Sequence, residues 1–482
     1  MRKAVVIAQD IVCARLAFEN VPIYGRPVAN EGAHPRLPMI RYTGPALTFE
    51  SEAFMYAVDG DLEFYGVGFV DFGLVAAVSI PSLNAAKPFP FQTWATGFRR
   101  AVPKHQGGVA LHVSRDFVDA TVGAKGPTVT MQNCHILNCH QVLMAVSDSA
   151  YVTLKAHDNE VEGTFGGFDL NTTVGPDLWG SQNHWHGCVG DRMQPDTNSH
   201  GLGTFWKVGV ENTVHKLVRK QAVLLANNHY HDIDSLCKHN DTNTSVAFDG
   251  RNINPAHFDR ISPGDLQNIR TADCSFVMEY ERYERLTSSR GREDCNAVYG
   301  KLMGGIWRHS IVNACGAPNQ TAKGFEDGSE FACGFKNPGR FDGLDPNAFF
   351  SCHDLTFIDM PRRSTPSQIG MFGLKIDGYA MPTYMTDISF VRWLDTANPQ
   401  GGAIRNYGAF DQGLWIDGTR AIACTFGSGA PLINLHKFSG TAAVTNSRAW
   451  NCKGVAAIIA DGKGARLAPA RIMPGAAPPY NQ

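Results

Sequence analysis

A fourteen-residue pattern recurs along the chain and constrains its fold more than any other feature. It reads apolar, any, apolar, any, Asn or Gly, two of any, apolar, any, Asn or Asp, three of any, apolar. One copy places Val129, Met131, Asn133, Ile136, Asn138 and Val142 on the pattern, and another places Val223, Leu225, Asn227, Tyr230, Asp232 and Leu236. Further copies carry Leu62, Phe64, Gly66, Phe69, Asp71 and Val75, then Val444, Asn446, Asn451, Cys452 and Val455, and more faintly Ile306, Ile311, Asn313 and Ala317. Apolar residues at i and i+2 turn one face of a short strand inward. Asn, Asp and Gly at fixed offsets tolerate the left-handed backbone of a tight corner. The pattern therefore reads strand, corner, strand, corner, strand.

One such coil cannot bury its apolar face alone. Stacking coils at about 4.8 Å closes a continuous core and pairs each strand with its counterparts above and below. The spacing of 25 residues from Val129 to Leu154 fits one coil, and the 67 residues from Leu62 to Val129 read as about three. The expectation is an all-β, right-handed parallel β-helix, with Asp71, Asn138, Asp232 and Asn451 marking similar bends. A β-sandwich also suits alternating strands and Gly turns, but at 482 residues it would need two or more domains, and no linker-like break separates any.

Composition supports the same class. The chain has 49 Gly and 26 Pro with only 18% charged residues, the usage of a turn-rich globular protein. A net charge of -2 disfavours nucleic-acid binding by bulk charge. No run approaches the roughly 20 apolar residues that span a bilayer, and the first residues read as neither export signal nor anchor. The twelve cysteines include no CxxC pair; Cys139 and Cys452 fall at equivalent places and read as small buried thiols.

The organisation read from the sequence has three parts. Residues 1–45 form an N-terminal arm or docking segment, 46–460 the β-helix, and 461–482 a Pro- and Ala-rich tail. Insertions are expected near 81–126, 166–220, 238–300 and 316–350. Two short helices are expected, one with Val210, Val214, Leu217 and Val218 on a face and one with Phe276, Tyr280, Tyr283 and Leu286.

Chemistry is sought in the insertions, since loops on a rigid scaffold carry function. Trp179, Trp185 and Trp206 lie in a stretch rich in amides and acids that also holds Asp191, Arg192, Asp196 and His200. Trp faces stack on sugar C–H faces while polar neighbours take hydroxyls, so these three are the candidate carbohydrate-binding residues. Acids two apart on a strand lie about 6.6 to 7 Å apart on one face, a separation an inverting glycosidase uses. Glu160 with Glu162, and Asp232 with Asp234, are the candidate catalytic pairs. A lyase would need a base and a cation, for which Arg251, Arg260 and His257 are available. His184 with His186, and His229 with His231, have strand spacing for metal ligation with a third group such as His200. Among 17 histidines such pairs arise by chance, so no metal and no cofactor is expected. There is no GxGxxG, Walker loop, HExxH or GxSxG motif.

The coil pattern resembles the right-handed parallel β-helix superfamily of pectate lyases, polygalacturonases and bacteriophage tailspikes. The resemblance covers about two thirds of the chain as a pattern, and no catalytic motif of those enzymes carries over to a residue here. In general organisation the chain is most similar to phage tailspikes and tail appendages. That resemblance implies a virion protein made in the host cytoplasm, a homotrimer that contacts other virion proteins and attaches to host surface polysaccharide, with or without cleaving it. A soluble, extracellular polysaccharide lyase or glycoside hydrolase is the alternative, and a non-enzymatic decoration component of the particle is the third.

Overall fold

The computed structural model describes the strands between Arg15 and Met473 with their tight corners. Residues 1–14, 20–38, 42–52, 71–108, 114–123, 191–205, 210–221, 236–243, 250–274, 289–295, 315–329, 338–348, 360–368 and 474–482, with several shorter connections, lie outside the described residues.

Each coil repeats one path. A first strand such as Ala124–Gln132 ends at a left-handed residue, here Asn133 with φ 52°. A short second strand follows, His135–Leu137, and then a third, Gln141–Ser147, on another face. First and second strands stack into one large sheet and third strands into a sheet of 12, and every registered pairing in both is parallel. The result is an all-β parallel β-helix. Its core is a file of inward residues: Phe64, Met131, Ala156, Leu225, Met278 and Trp307 from first strands, and Ile136, Val161, Trp185, Tyr230 and Tyr283 from second strands, all buried.

The corner series explains why the pattern tolerates Asn, Asp and Gly. Gly66, Asn133, Asp158, Gln182, Asn227, Tyr280, His309, Asp387, Gly418 and Asn446 all hold positive φ. A second series follows the second strands and includes Arg285, Ala314, Asp359, Arg392, Ala423 and Asn451. Asp232 falls opposite Arg285 in the register, so it belongs to the same bend as Asn451; Asn138 and Asp71 lie outside the described residues.

The residue after the first corner forms a buried polar ladder. Asn159, Asn183 and Asn228 stack coil on coil, each oxygen accepting from the backbone N–H of the preceding coil, at 2.9, 3.2 and 3.0 Å. The Nδ2 groups of Asn159 and Asn183 donate sideways to the next Asn and that of Asn228 to Glu281, and all three donate back, to the carbonyls of Met131, Ala156 and Gly180. Burial without partners would cost each amide about 1–3 kcal/mol, so the ladder stabilises the corner only while unbroken. Asn183→Ala should therefore cost about 2–3 kcal/mol in urea denaturation, since it strips acceptors from Asn159.

Several expectations need correction. The 67 residues from Leu62 to Val129 are one coil with a long excursion, because the two residues pair directly. Segments 166–220 and 238–300 are not wholly insertions: they hold the coil strands Asp177–Ser181, His184–His186 and Trp206–Gly209, then Thr244–Asp249 and Ser275–Glu279. Likewise Val109–Val113 and Glu330–Asn337 are sheet strands within 81–126 and 316–350. Arg15–Glu19 and Met39–Arg41 pair with the next coil, and Ala465–Leu467 and Arg471–Ile472 with the previous one, so the solenoid enters both supposed terminal segments. The helix expected over Phe276 to Leu286 is two strands, Ser275–Glu279 and Arg282–Ser288, broken by the left-handed Tyr280. The helix at Val210 to Val218 lies outside the described residues. In the faint copy the register is one residue off: Trp307 and Val312 point inward, not Ile306 and Ile311.

Candidate functional site

Two outward surfaces follow from the alternation of the strands. The first runs along the first strands, one residue per coil: Lys155, Trp179, Leu224, Val277, Ile306, Ser351, Tyr384 and Trp415 are successive partners in the register. Six pairings separate Trp179 from Trp415, about 29 Å at about 4.8 Å per coil. Leu224, Tyr384 and Trp415 are exposed at 38–39%. Tyr384 and Trp415 stack at 5.0 Å and 16°, and the Lys155 ammonium lies 5.1 Å from the centre of the Trp179 ring. Gly413 makes room for this pair. It sits at the register shift between Phe410 and Leu414 with φ 101°, and a Cβ there would come 2.7 Å from the Trp415 ring.

The second surface lies on the second strands. Each strand begins with a triplet that has a buried centre and two half-exposed or polar flanks: Glu160-Val161-Glu162, His184-Trp185-His186, His229-Tyr230-His231 and Arg282-Tyr283-Glu284 stack in register. His184 lies over His229 at 5.2 Å and 13°, and His186 over His231 at 5.4 Å and 7°. Between the columns, His184 Nε2 meets His231 Nε2 at 2.6 Å, so one nitrogen must be the donor and the other unprotonated. Carboxylates close the edges. Glu160 accepts from His186 at 3.0 Å, Glu284 accepts from His229 at 3.3 Å and from Arg282 Nε at 2.6 Å, and Glu162 lies 3.7 Å from His135.

Burial, with the charges of His186, His231 and His229 behind it, pushes His184 down to about 4. Burial also lowers His229, against the pull of Glu284. His135, whose Nε2 lies 3.7 Å away, holds Glu162 below the usual carboxylate range. Glu284 is pushed up by its burial, but Arg282 and His229 more than offset this and hold it low. His184 and His229 thus offer neutral imidazole nitrogens beside the ionised carboxylates of Glu162 and Glu284. Farther along, the column of Glu162, His186, His231 and Glu284 turns apolar, as Ile358, Val391, Ile422 and Trp450 form a separate buried cluster.

The sequence-predicted residues divide sharply. Glu160 and Glu162 flank the buried Val161 on one outer face, as their spacing predicts, and the structure brings them to the histidine pairs. Asp232 and Asp234 lie in the strand His229–Ser235, with Asp234 opposite Val189; their side chains lie outside the described residues. Trp179 is half-exposed on the aromatic stripe. Trp185 and Trp206 are fully buried core residues and present no face to a glycan. They sit inward because the alternation of their strands points them there, while the sequence alone suggested a loop. His200, Asp191, Arg192, Asp196, Arg251, His257 and Arg260 lie outside the described residues. Sequence reasoning missed Tyr384, Trp415 and Leu224, which stand apart in the chain. It also missed the Asn ladder, whose signal was there: Asp158-Asn159, Gln182-Asn183 and Asn227-Asn228 each precede one of the stacked triplets.

Of the cysteines, Cys134, Cys352 and Cys424 are buried free thiols and Cys452 a half-buried one; burial pushes Cys134 up to about 11. No helix among the described residues is long and apolar enough to cross a membrane.

No protein-family model matches the chain. No curated protein matches it. Among solved structures it is similar to the Siphovirus 9NA tailspike receptor binding domain, at 10% identity over 97% of this chain and 73% of that one, with a TM-score of 0.24.

Proposed function

We propose that this solenoid binds an extended polysaccharide along the outer stripe of its first strands, as a tailspike-like or appendage protein that attaches a virion to host surface glycan. The observation that carries this reading is the exposed, stacked Tyr384–Trp415 pair, collinear with Trp179 on a rigid sheet. Flat aromatic faces present apolar area at low entropic cost, and a straight file of them suits a chain ligand better than a compact one. Neighbouring outward positions supply hydroxyl, amide and charged partners, among them His157 with Ser181 at 2.8 Å. The same reading takes the particle form to be a homotrimer.

Binding is favoured over cleavage. Glu162 is held below the usual carboxylate range and so lacks the raised carboxyl that a general acid needs, and Glu160 is already engaged by His186. The depolymerase reading remains the second one, because the Glu160 and Glu162 pair does share an outer face.

A panel of capsular and lipopolysaccharide glycans titrated into the purified full chain tests both. A glycan that binds wild type should bind Trp415→Ala and Tyr384→Ala at least about tenfold more weakly, the size of an aromatic hot spot. Equal affinity in both variants would remove the stripe from the reading. New reducing ends that vanish in Glu162→Ala would instead establish hydrolysis.

A further inference from the structure

We infer that His184, His229 and His231 form a binding site for a borderline divalent metal ion of the zinc class, clipping two successive coils together. The three side chains come from two stacked second strands, and their ligand atoms all lie within 4.8 Å of one another. His184 and His231 are separated by 47 residues in sequence yet face each other through Nε2 at 2.6 Å. Two imidazole nitrogens that close share one proton at best. A tetrahedral ion with bonds of about 2.0–2.1 Å needs nitrogens about 3.3 Å apart, a small outward rotation from the present spacing.

Three features favour a metal over a fortuitous histidine contact. The ring pairs are fixed by strand register on a rigid sheet, so little freedom is lost on ligation. His229 carries a carboxylate partner, Glu284, which is itself held by Arg282, the arrangement that orients a metal-bound imidazole. All three residues are half-exposed, which leaves an approach for the ion and a fourth position for water. Imidazole donors select zinc-class transition ions over calcium or magnesium, which prefer oxygen. An alternative set, Glu160 with His184 and His186, shares His184, so one ion occupies one set at a time. The all-histidine set is the better one because Glu160 already accepts from His186.

This departs from the sequence expectation of no metal, where the pairs were weighed singly. Stacking brings them together as one site. The ion would pin the start of one coil's second strand to that of the next, across a long chain excursion, and so add to stability in proportion to its occupancy.

The test uses the full chain purified without a polyhistidine tag, stripped with chelator and titrated with Zn2+ and with Co2+. Expected are one saturable Zn2+ per chain, a tetrahedral ligand-field spectrum with Co2+, and a thermal midpoint raised by Zn2+. His231→Gln and His184→Gln should lose at least about 100-fold in affinity and the thermal response, and Glu284→Gln about 10- to 100-fold. His309→Gln, on a different column, should bind as wild type. Circular dichroism establishes that each variant is folded before it is scored. Absence of saturable binding in wild type, or unchanged binding in folded His184→Gln and His231→Gln, would overturn the site. Loss in Glu160→Gln with retention in His231→Gln would also overturn it, by assigning the ion to the alternative set. None of these outcomes depends on glycan binding.

Discussion

Replacing Trp206 by alanine is expected to destabilise the protein by about 3–5 kcal/mol, the largest loss from any single truncation considered for this chain. Trp206 is fully buried, stacks on Phe168 at 4.9 Å and 14°, and meets Trp185 edge-on at 5.3 Å. Gly180 is kept free of a side chain by the same ring, since a Cβ there would lie 2.9 Å from it. Truncation therefore opens a cavity that the rigid strands cannot close, and it removes the indole N–H that donates to Tyr230 Oη at 2.7 Å. Urea denaturation followed by tryptophan fluorescence measures the loss. A change below about 1 kcal/mol would show that Trp206 is not in the core, and would return it to the candidate glycan contacts.

Stability should fall as pH rises from about 4.5 to about 8, and Glu281 is the cause. Its carboxyl ends the Asn ladder: Oε1 accepts from the Asn228 backbone N–H and Nδ2, and Oε2 accepts from Tyr230 Oη. Burial pushes it up to about 8, although the bonds from Asn228 and Tyr230 pull the other way. In the unfolded chain the same carboxyl ionises near 4.5. Between those values the unfolded state gives up a proton that the folded state keeps, so ionisation favours unfolding, by on the order of 5 kcal/mol across the window. Below about 4.5 this contribution is constant. Glu281→Gln keeps a carbonyl acceptor for Asn228 and cannot ionise, so the variant should be the more stable form at pH 8.5 and should lack the slope. Chemical denaturation at a series of pH values decides it. A wild-type profile that is flat, or rises, through this window would mean that Glu281 is already ionised in the fold.

The fold was legible because it rests on local alternation and corner chemistry, both of which a single copy displays. Val129, Met131, Asn133 and Ile136 already specify two strands and a left-handed bend, and the structure gives them that role. The coil count was less legible, because pairing is set by contact between strands and not by distance along the chain, as Leu62 with Val129 shows. The site was least so. Trp185 and Trp206 look like contact residues until the alternation of their strands turns them inward, and Tyr384 and Trp415 look like isolated aromatics until stacking aligns them. The histidine pairs were visible, but their union depends on register across 45 residues, which no spacing rule supplies.

Equivalent ladder positions are separated by 24, 45, 53 and 29 residues in consecutive coils, yet the strands above and below keep the same register. Doubling the length of a loop whose ends are fixed costs only about 0.6 kcal/mol in closure entropy. Genetic change in the connecting segments is thus nearly decoupled from the scaffold: such a protein can acquire, shed or exchange whole peripheral segments over evolutionary time while the outward columns of side chains remain in place.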